Sequence, residues 1–344
     1  MKRVALALAL IVILGAGAWG AYFRVGGAGG EMIVAADKWL GTLSAEQKKQ
    51  AVMSYDAPER LDWHFIPKAS RKGVQIKEMN DEQRQAAHKL LRSALSQIGY
   101  DKATKIMELE KVLRELEKSK KGGNIRDHER YYFTIFGEPS DTSRWGLSVE
   151  GHHTSMNFVV DKGRVISSTP LMFGSNPAVM KEEVAGIKKG TRVLAKEEEL
   201  AFELLHSLSA EQRKEAVIAE VAIKEIRNDG KPQPPTEAAV GIAVEKLKAD
   251  QKKTLFALIE AYAQNVPDEV AKERLTDIEK SGFDKVKFAW AGADKPGIGH
   301  YYRIQGDSFL IEFVNTQPDA AGNPANHIHC LWRDMRGDFA IPIK

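Results

Sequence analysis

Residues 43–52 read LSAEQKKQAV and residues 208–217 read LSAEQRKEAV. The two stretches differ only at Lys48/Arg213 and Gln50/Glu215, both conservative exchanges. Each opens with a helix start signal: Ser44 or Ser209 as N-cap, with Gln47 or Gln212 three residues on, the spacing of a capping box. A repeat of this kind is sought first, because missing one misassigns the whole fold. Further correspondences follow in the same order. Residues 79–90 (MNDEQRQAAHKL) match 247–258 (LKADQKKTLFAL), and Leu109-Glu110-Lys111 matches Ile278-Glu279-Lys280.

The β-patterned parts align too. Residues 132–137 (YFTIFG) lie opposite 287–292 (KFAWAG), and 145–159 opposite 300–314, which matches Gly151 with Gly306 as hairpin turns. Alternation at Thr154, Met156 and Phe158 supports strands. The expected fold is α+β and internally duplicated. Each half is two or three helices followed by a small antiparallel β-meander, in a pseudo-twofold arrangement. The meanders either join in one sheet or pack face to face. The halves divide as residues 31–192 and 193–344, after an N-terminal segment, 1–30. A duplicated chain of this kind places function at the junction.

The N-terminal segment has the composition of an export signal. Lys2 and Arg3 precede an uncharged, Ala/Leu/Ile-rich run at 4–23, the pattern of a secretory leader. Ala16-Gly17-Ala18 offers a small-residue cleavage site. Left uncut, the run is long enough to cross a bilayer as an anchor, with Trp19, Tyr22 and Arg24 at the interface. The expected location is therefore periplasmic or extracellular, with any membrane contact made through this segment alone. Cys330 is the only cysteine, so no internal disulfide forms. A net charge of +3 with no basic aromatic stripe argues against nucleic acid as a partner.

Histidine carries the functional signal. Five of nine fall in two β-patterned segments: His152 and His153 in 145–161, and His300, His327 and His329 in 300–334. On a strand His327 and His329 project from one face, because side chains alternate. Two imidazoles so placed offer nitrogen ligands to one metal, with a third from an adjoining strand. His153 is the preferred third ligand, with His152 beside it as a supporting or substrate-contacting group. Glu312, alone in the apolar run FLIEFV, is the candidate carboxylate ligand or general base, and His300 or His152 would stabilise a leaving group. Asn157 aligns with Glu312 in the other half. Arg333-Asp334 would bind an anion or orient a histidine.

The expected activity is that of a metal-dependent enzyme, a zinc hydrolase before a copper-dependent oxidative one, acting on a small molecule or a cell-envelope substrate. The competing expectation is a binding module without turnover, with Trp145, Trp290, Tyr301, Tyr302 and Trp332 as contact surface. There is no G-x-S-x-G elbow, H-E-x-x-H, phosphate-cradling loop, dinucleotide fingerprint or C-x-x-C. His64, His88, His128 and His206 lie in helical or loop contexts and are assigned structural roles.

The segments 136–139 (FGEP), 145–157 (WGLSVEGHHTSMN), 169–178 (TPLMFGSNPA), 288–292 (FAWAG), 301–315 and 326–334 carry a resemblance. Together they resemble a bacterial family of exported proteins known as domain of unknown function 3500, over nearly the whole chain after the leader. The resemblance implies export and weight on the EGHH and NHIH segments, and it brings no activity with it. His329-Cys330 is also similar to the H-x-x-H-C pattern of fungal copper-dependent oxidative cyclases. The spacing here is H-x-H-C, and the second copy of that motif is missing.

Overall fold

The computed structural model describes residues 27–119 and 125–343. The leader read at 2–23 lies outside the described residues. Among those described, no helix is long and apolar enough to cross a membrane.

Four helices open the chain: α1 (Ala28–Thr42), α2 (Ala45–Ala51), α3 (Asp81–Ala94) and α4 (Gln97–Leu116), with the two-residue strands β1 (Val52–Met53) and β2 (Val74–Gln75) between them. Then come β3 (Tyr132–Phe136), β4 (Arg144–Gly151), β5 (Thr154–Asp161), β6 (Arg164–Ser167) and β7 (Leu171–Ser175). Four more helices follow: α5 (Ala195–Ser207), α6 (Ala210–Ala216), α7 (Ala249–Ala263) and α8 (Asp268–Lys280). The short β8 (Val217–Ala219) and β9 (Ile242–Ala243) lie among them. The chain closes with β10 (Lys287–Gly292), β11 (His300–Gln305), β12 (Phe309–Gln317) and β13 (His327–Asp334).

The expectation of two or three helices per half is corrected to four among the described residues. Two of them, α2 and α6, are the short helices of the repeated stretch, seven residues each. Both are held by the capping boxes. Ser44 Oγ accepts from Gln47 N and Gln47 Oε1 from Ser44 N, at 3.2 and 3.0 Å. Ser209 and Gln212 repeat the arrangement at 3.3 and 2.9 Å. Each box satisfies two amides that a helix start leaves open.

The strands form one mostly antiparallel sheet in the order β1-β3-β4-β5-β7-β13-β12-β11-β10-β8, with β2 on β3, β6 on β5 and β9 on β10. Of the two arrangements open in the sequence, a single joined sheet is the one found. The join is β7 against β13, antiparallel from Ile328↔Ser175 to Trp332↔Leu171.

The two faces of the sheet differ. Ile328, Cys330, Trp332, Ile311, Phe313 and Tyr302 pack into the main core with the helices. The opposite face carries His329, Leu331 and Arg333 on β13, Glu312 and Val314 on β12, Tyr301 and Arg303 on β11, and Met172 and Gly174 on β7. It is covered by irregular chain through a smaller core that includes Trp63, Phe65, Ile226 and Phe339. Buried polar groups therefore collect on one face, where loops can supply hydrogen bonds that helices cannot.

β4 and β5 are joined by the two-residue loop His152-His153, with Gly151 paired to Thr154. Tyr131, fully buried, lies across this turn and donates its hydroxyl to His152 O at 2.9 Å. A Cβ on Gly151 would stand 2.2 Å from the Tyr131 ring, so only glycine fits. Gly151→Ala is predicted to destabilise the fold by roughly 2 kcal/mol through overpacking, measured as a shift in the urea midpoint. An unmoved midpoint would mean that Tyr131 does not brace the hairpin.

Candidate metal centre

His153 has φ 64°, in the left-handed region, where histidine is among the better tolerated side chains. Its backbone ties three segments together: N–H donates to Phe65 O at 2.9 Å, and its carbonyl accepts from Gly174 N at 2.7 Å. Gly174 is paired with His329 across the join between β7 and β13. A Cβ there would lie 2.9 Å from His153 Cδ2 and 3.0 Å from His329 Cδ2. The missing side chain is the space in which the two rings meet.

His327, at the start of β13, completes the group. His153 Nε2 and His327 Nε2 are 2.7 Å apart, and one ligand nitrogen from each of His153, His327 and His329 lies within 4.8 Å of the others. Four-coordinate zinc, with Zn–N near 2.0–2.1 Å, sets its nitrogens about 3.3 Å apart. The His153–His327 pair thus needs to open by about 0.6 Å. His153 and His329 are buried, whereas His327 is part-exposed and marks the solvent side.

Burial, reinforced by neighbouring imidazoles, holds His153 well below the usual histidine range and pushes His327 down to about 2. Both therefore stand neutral at physiological pH, the form that offers a lone pair to a metal.

Each ring is oriented from behind. Glu225 places both carboxylate oxygens 2.8 Å from His329 Nδ1, which leaves Nε2 free to face the cluster. The Asn176 amide lies 3.3 Å from His327 Nδ1 through its nitrogen, while its Oδ1 is buried without a partner. Amide orientation is a choice made by the hydrogen-bond network. Turned over, Asn176 satisfies its oxygen with His327 Nδ1–H and frees Nε2 for a ligand.

A bulge in β12 aims His327. The β12–β13 register shifts between Asn315 and Gln317, and the His327 N–H is taken by Asn315 Oδ1 at 3.0 Å. Asn315 is held in turn by donating to Glu198 Oε1 of α5 at 2.9 Å. Bulges re-aim side chains in this way next to functional sites.

The six residues expected at the site divide. His153, His327 and His329 come together. His152 stacks on His153 with ring centroids 3.7 Å apart, but its Nδ1 is bonded to Glu110 of α4 and lies 3.0 Å from Arg126 Nη1. It braces the cluster rather than entering it. Glu312 shares the face of His329 but sits opposite Leu331. Its Oε1 is clamped by Arg227 Nε at 2.8 Å and Tyr301 Oη at 2.6 Å. His300 points the other way: it packs on Phe202, Trp290 and Phe313 on the helix side, with Nε2 3.2 Å from Glu198. The two strands bearing Glu312 and His300 are adjacent, but residue parity puts these side chains on opposite faces.

Other expectations resolve as packing. Trp145, Trp290 and Tyr302 lie in the main core and Tyr301 in the smaller one rather than on a contact surface, and Trp332 packs in the main core with one side on a separate cavity. Arg333 is fully buried against Asp338 at 2.6 Å. Asn157 donates to Ser155 Oγ and Pro170 O, away from the three histidines. Cys330 faces the helix-side core, where burial raises its thiol pKa. Glu225 and Asn176 were not foreseen. Glu225 lies in an irregular stretch with no strand or helix period to give its side chain a direction.

The neutral rings make the metal-free protein sensitive to acid. A histidine whose folded pKa lies below its unfolded value near 6.5 leaves the unfolded chain binding more protons between the two values. Stability is then whole above pH 6.5 and falls as pH drops through that window, by up to about 1.4 kcal/mol per unit for a buried ring. Urea unfolding of chelated protein between pH 7 and 5.5 should show this loss. His153→Asn, which tolerates the same backbone region, should flatten the slope, and an unchanged slope would contradict the neutral assignment.

A family model described as Protein of unknown function (DUF3500) matches residues 27–341. No curated protein and no solved structure gave a significant match. The matched span covers both helical sets, the whole sheet and all three converging histidines, and the chain belongs to the DUF3500 family.

Proposed function

We propose that this chain is an exported metal-dependent hydrolase whose ion, zinc in preference to copper, is held by His153, His327 and His329. One observation carries the reading: three imidazole nitrogens, two from β13 and one from the β4–β5 hairpin, within 4.8 Å of one another. Structural zinc sites close with four protein ligands, whereas catalytic sites use three and keep a position open. The set here numbers three, with His327 on the open side. An all-nitrogen set suits zinc, and Cys330, on the far face, adds no sulfur.

Bound there, the ion would supply Lewis acidity and bring water ionisation toward neutral pH. The chain's own residues do the positioning. Glu225 fixes the His329 tautomer, Asn176 that of His327, and His152, held by Glu110, supports the His153 ring. Such outer partners typically change metal affinity 10–100-fold when removed. Glu312 is not assigned as base in this reading: it is fully buried, paired with Arg227 through Oε1, and sits opposite Leu331 rather than beside the three histidines.

The duplication read in the sequence, with halves 31–192 and 193–344, belongs to the same proposal. The strand order runs β1-β3-β4-β5-β7 from one edge and β8-β10-β11-β12-β13 from the other, which supports two copies of one unit meeting at β7 and β13. The substrate is proposed as a small molecule or cell-envelope component, reached after export through residues 1–30.

Elemental analysis of the purified full chain is expected to find one zinc per molecule, lost in His329→Ala together with hydrolysis of activated esters. Asn315→Ala and Glu225→Gln should each weaken zinc binding by 10–100-fold, with little change in unfolding midpoint for Glu225→Gln and a lowered one for Asn315→Ala, which leaves His327 N–H and Glu198 without their partner. Copper in place of zinc would move the reading to oxidative chemistry. Metal binding with no turnover would leave a binding module, and no bound metal would remove the class. Cell fractionation tests export: recovery of the chain in the cytoplasm alone would contradict it.

A further inference from the structure

On the helix-covered side of the sheet a second polar cavity stands apart from the histidines. It has a volume of about 80 Å³ and lies between α8 and the ends of β6, β12 and β13, several times the roughly 10–15 Å³ that admits one water. Trp332, on its wall, is three residues beyond His329 and faces the opposite side of the strand.

Three carboxylates line this cavity, and each already faces a cation. Glu273 pairs with Arg164 at 2.9 Å, and Asp277 and Asp334 share Arg336 at 3.0 Å each. Arg274 is different. Its Nη2 donates to Ser168 O and Oγ at 2.7 and 2.6 Å, and its guanidinium lies 4.8 Å from the Trp332 ring centroid. Its Nη1 is buried with no hydrogen-bond partner, and no carboxylate pairs with it among the described residues. Ser308, only 6% exposed, also lines the cavity with an unpartnered Oγ. Burial draws the Arg274 pKa down from its usual value, with Asp334 and Asp338 opposing.

Buried charges are ordinarily paired, because an uncompensated one is costly. Two donors without acceptors beside one cavity therefore describe the outline of a missing acceptor. We propose that this cavity binds the carboxylate of a small organic acid, with Arg274 Nη1 and Ser308 Oγ as its donors and Trp332 and Ile278 against its carbon end. The Ser308 hydroxyl turns about its Cβ–Oγ bond toward an incoming oxygen, while the planar Arg274 fork is held in place through Nη2 by Ser168. A single negative charge matches Arg274, the cation on this cavity's wall with no carboxylate at ion-pair distance among the described residues. A phosphate dianion would be set among Glu273, Asp277 and Asp334, so the monocarboxylate is favoured.

The site is independent of the metal reading, and the experiment keeps the two separate. Acetate and butyrate are titrated by calorimetry into the chelated full chain and into chelated His329→Ala, so that capture by a metal cannot contribute. Saturable one-to-one binding, equal in the two proteins and weaker for inorganic phosphate, is expected. Loss of one charge-assisted hydrogen bond should weaken acetate binding about tenfold in Ser308→Ala, and further in Arg274→Lys, which loses the planar fork. Ser308→Ala removes only an unpaired hydroxyl, so it decides the matter should Arg274→Lys fail to fold. No saturable binding, undiminished binding in Ser308→Ala, loss in His329→Ala, or phosphate binding as tight as acetate would each overturn the proposal.

Discussion

The pairing of β7 with β13 governs both the sheet and its site. It joins the strands of the first set to those of the second and sets Gly174 directly beside His329. The β4–β5 hairpin then delivers His153 over that glycine, fastened by the His153 carbonyl to Gly174 N. A slip of one residue would turn His327 and His329 to the helix side and bring Ile328 and Cys330 to the hairpin, because side chains alternate in strict pairs. The core on the helix side, where Ile328, Cys330 and Trp332 are packed, opposes such a slip. Apolar burial on one face thus sets the chemistry available on the other.

That other face is unusual in what it buries. Glu312, Arg303, Arg333, His153 and His329 lie at 0–7% exposure, and irregular chain at residues 54–73 and 220–241 supplies partners to several of them. Trp63 and Arg333 both reach Lys231 O, and Arg227 crosses to Glu312. Side chains held this firmly lose little further freedom when a ligand arrives, which favours a preorganised site. Without a metal, one of His153 and His327 donates to the other across 2.7 Å, while the remaining lone pairs of the cluster have no such proton to share. A shared cation gives them a common acceptor for their lone pairs.

Local pattern made much of this legible. The repeated capping boxes placed α2 and α6 at their starts, and period-two alternation placed β5 and β13, so that His327 and His329 were known to share a face. Strand alternation favours one of His152 and His153 for a shared site; both sit in the turn and stack, and His153 is the one that lies with His327 and His329. What escaped was relative direction between strands. His300 and Glu312 lie on adjacent strands, yet the pairing Arg303↔Glu312 puts Glu312 with the odd-numbered residues of β11, and His300 is even. Glu225 escaped for a different reason: its side chain is directed by a long covering segment whose path depends on tertiary packing. The bond from Asn315 to His327 arises from a bulge that alternation cannot reveal.

X-ray absorption at the zinc edge, recorded on the full chain purified with its native metal, tests the central claim most directly. Three imidazole nitrogens and one light oxygen scatterer at about 2.0–2.1 Å, falling to fewer imidazoles in His153→Asn, is the predicted result. A sulfur scatterer near 2.3 Å, an oxygen-only shell, or a spectrum unaffected by His153→Asn would contradict it.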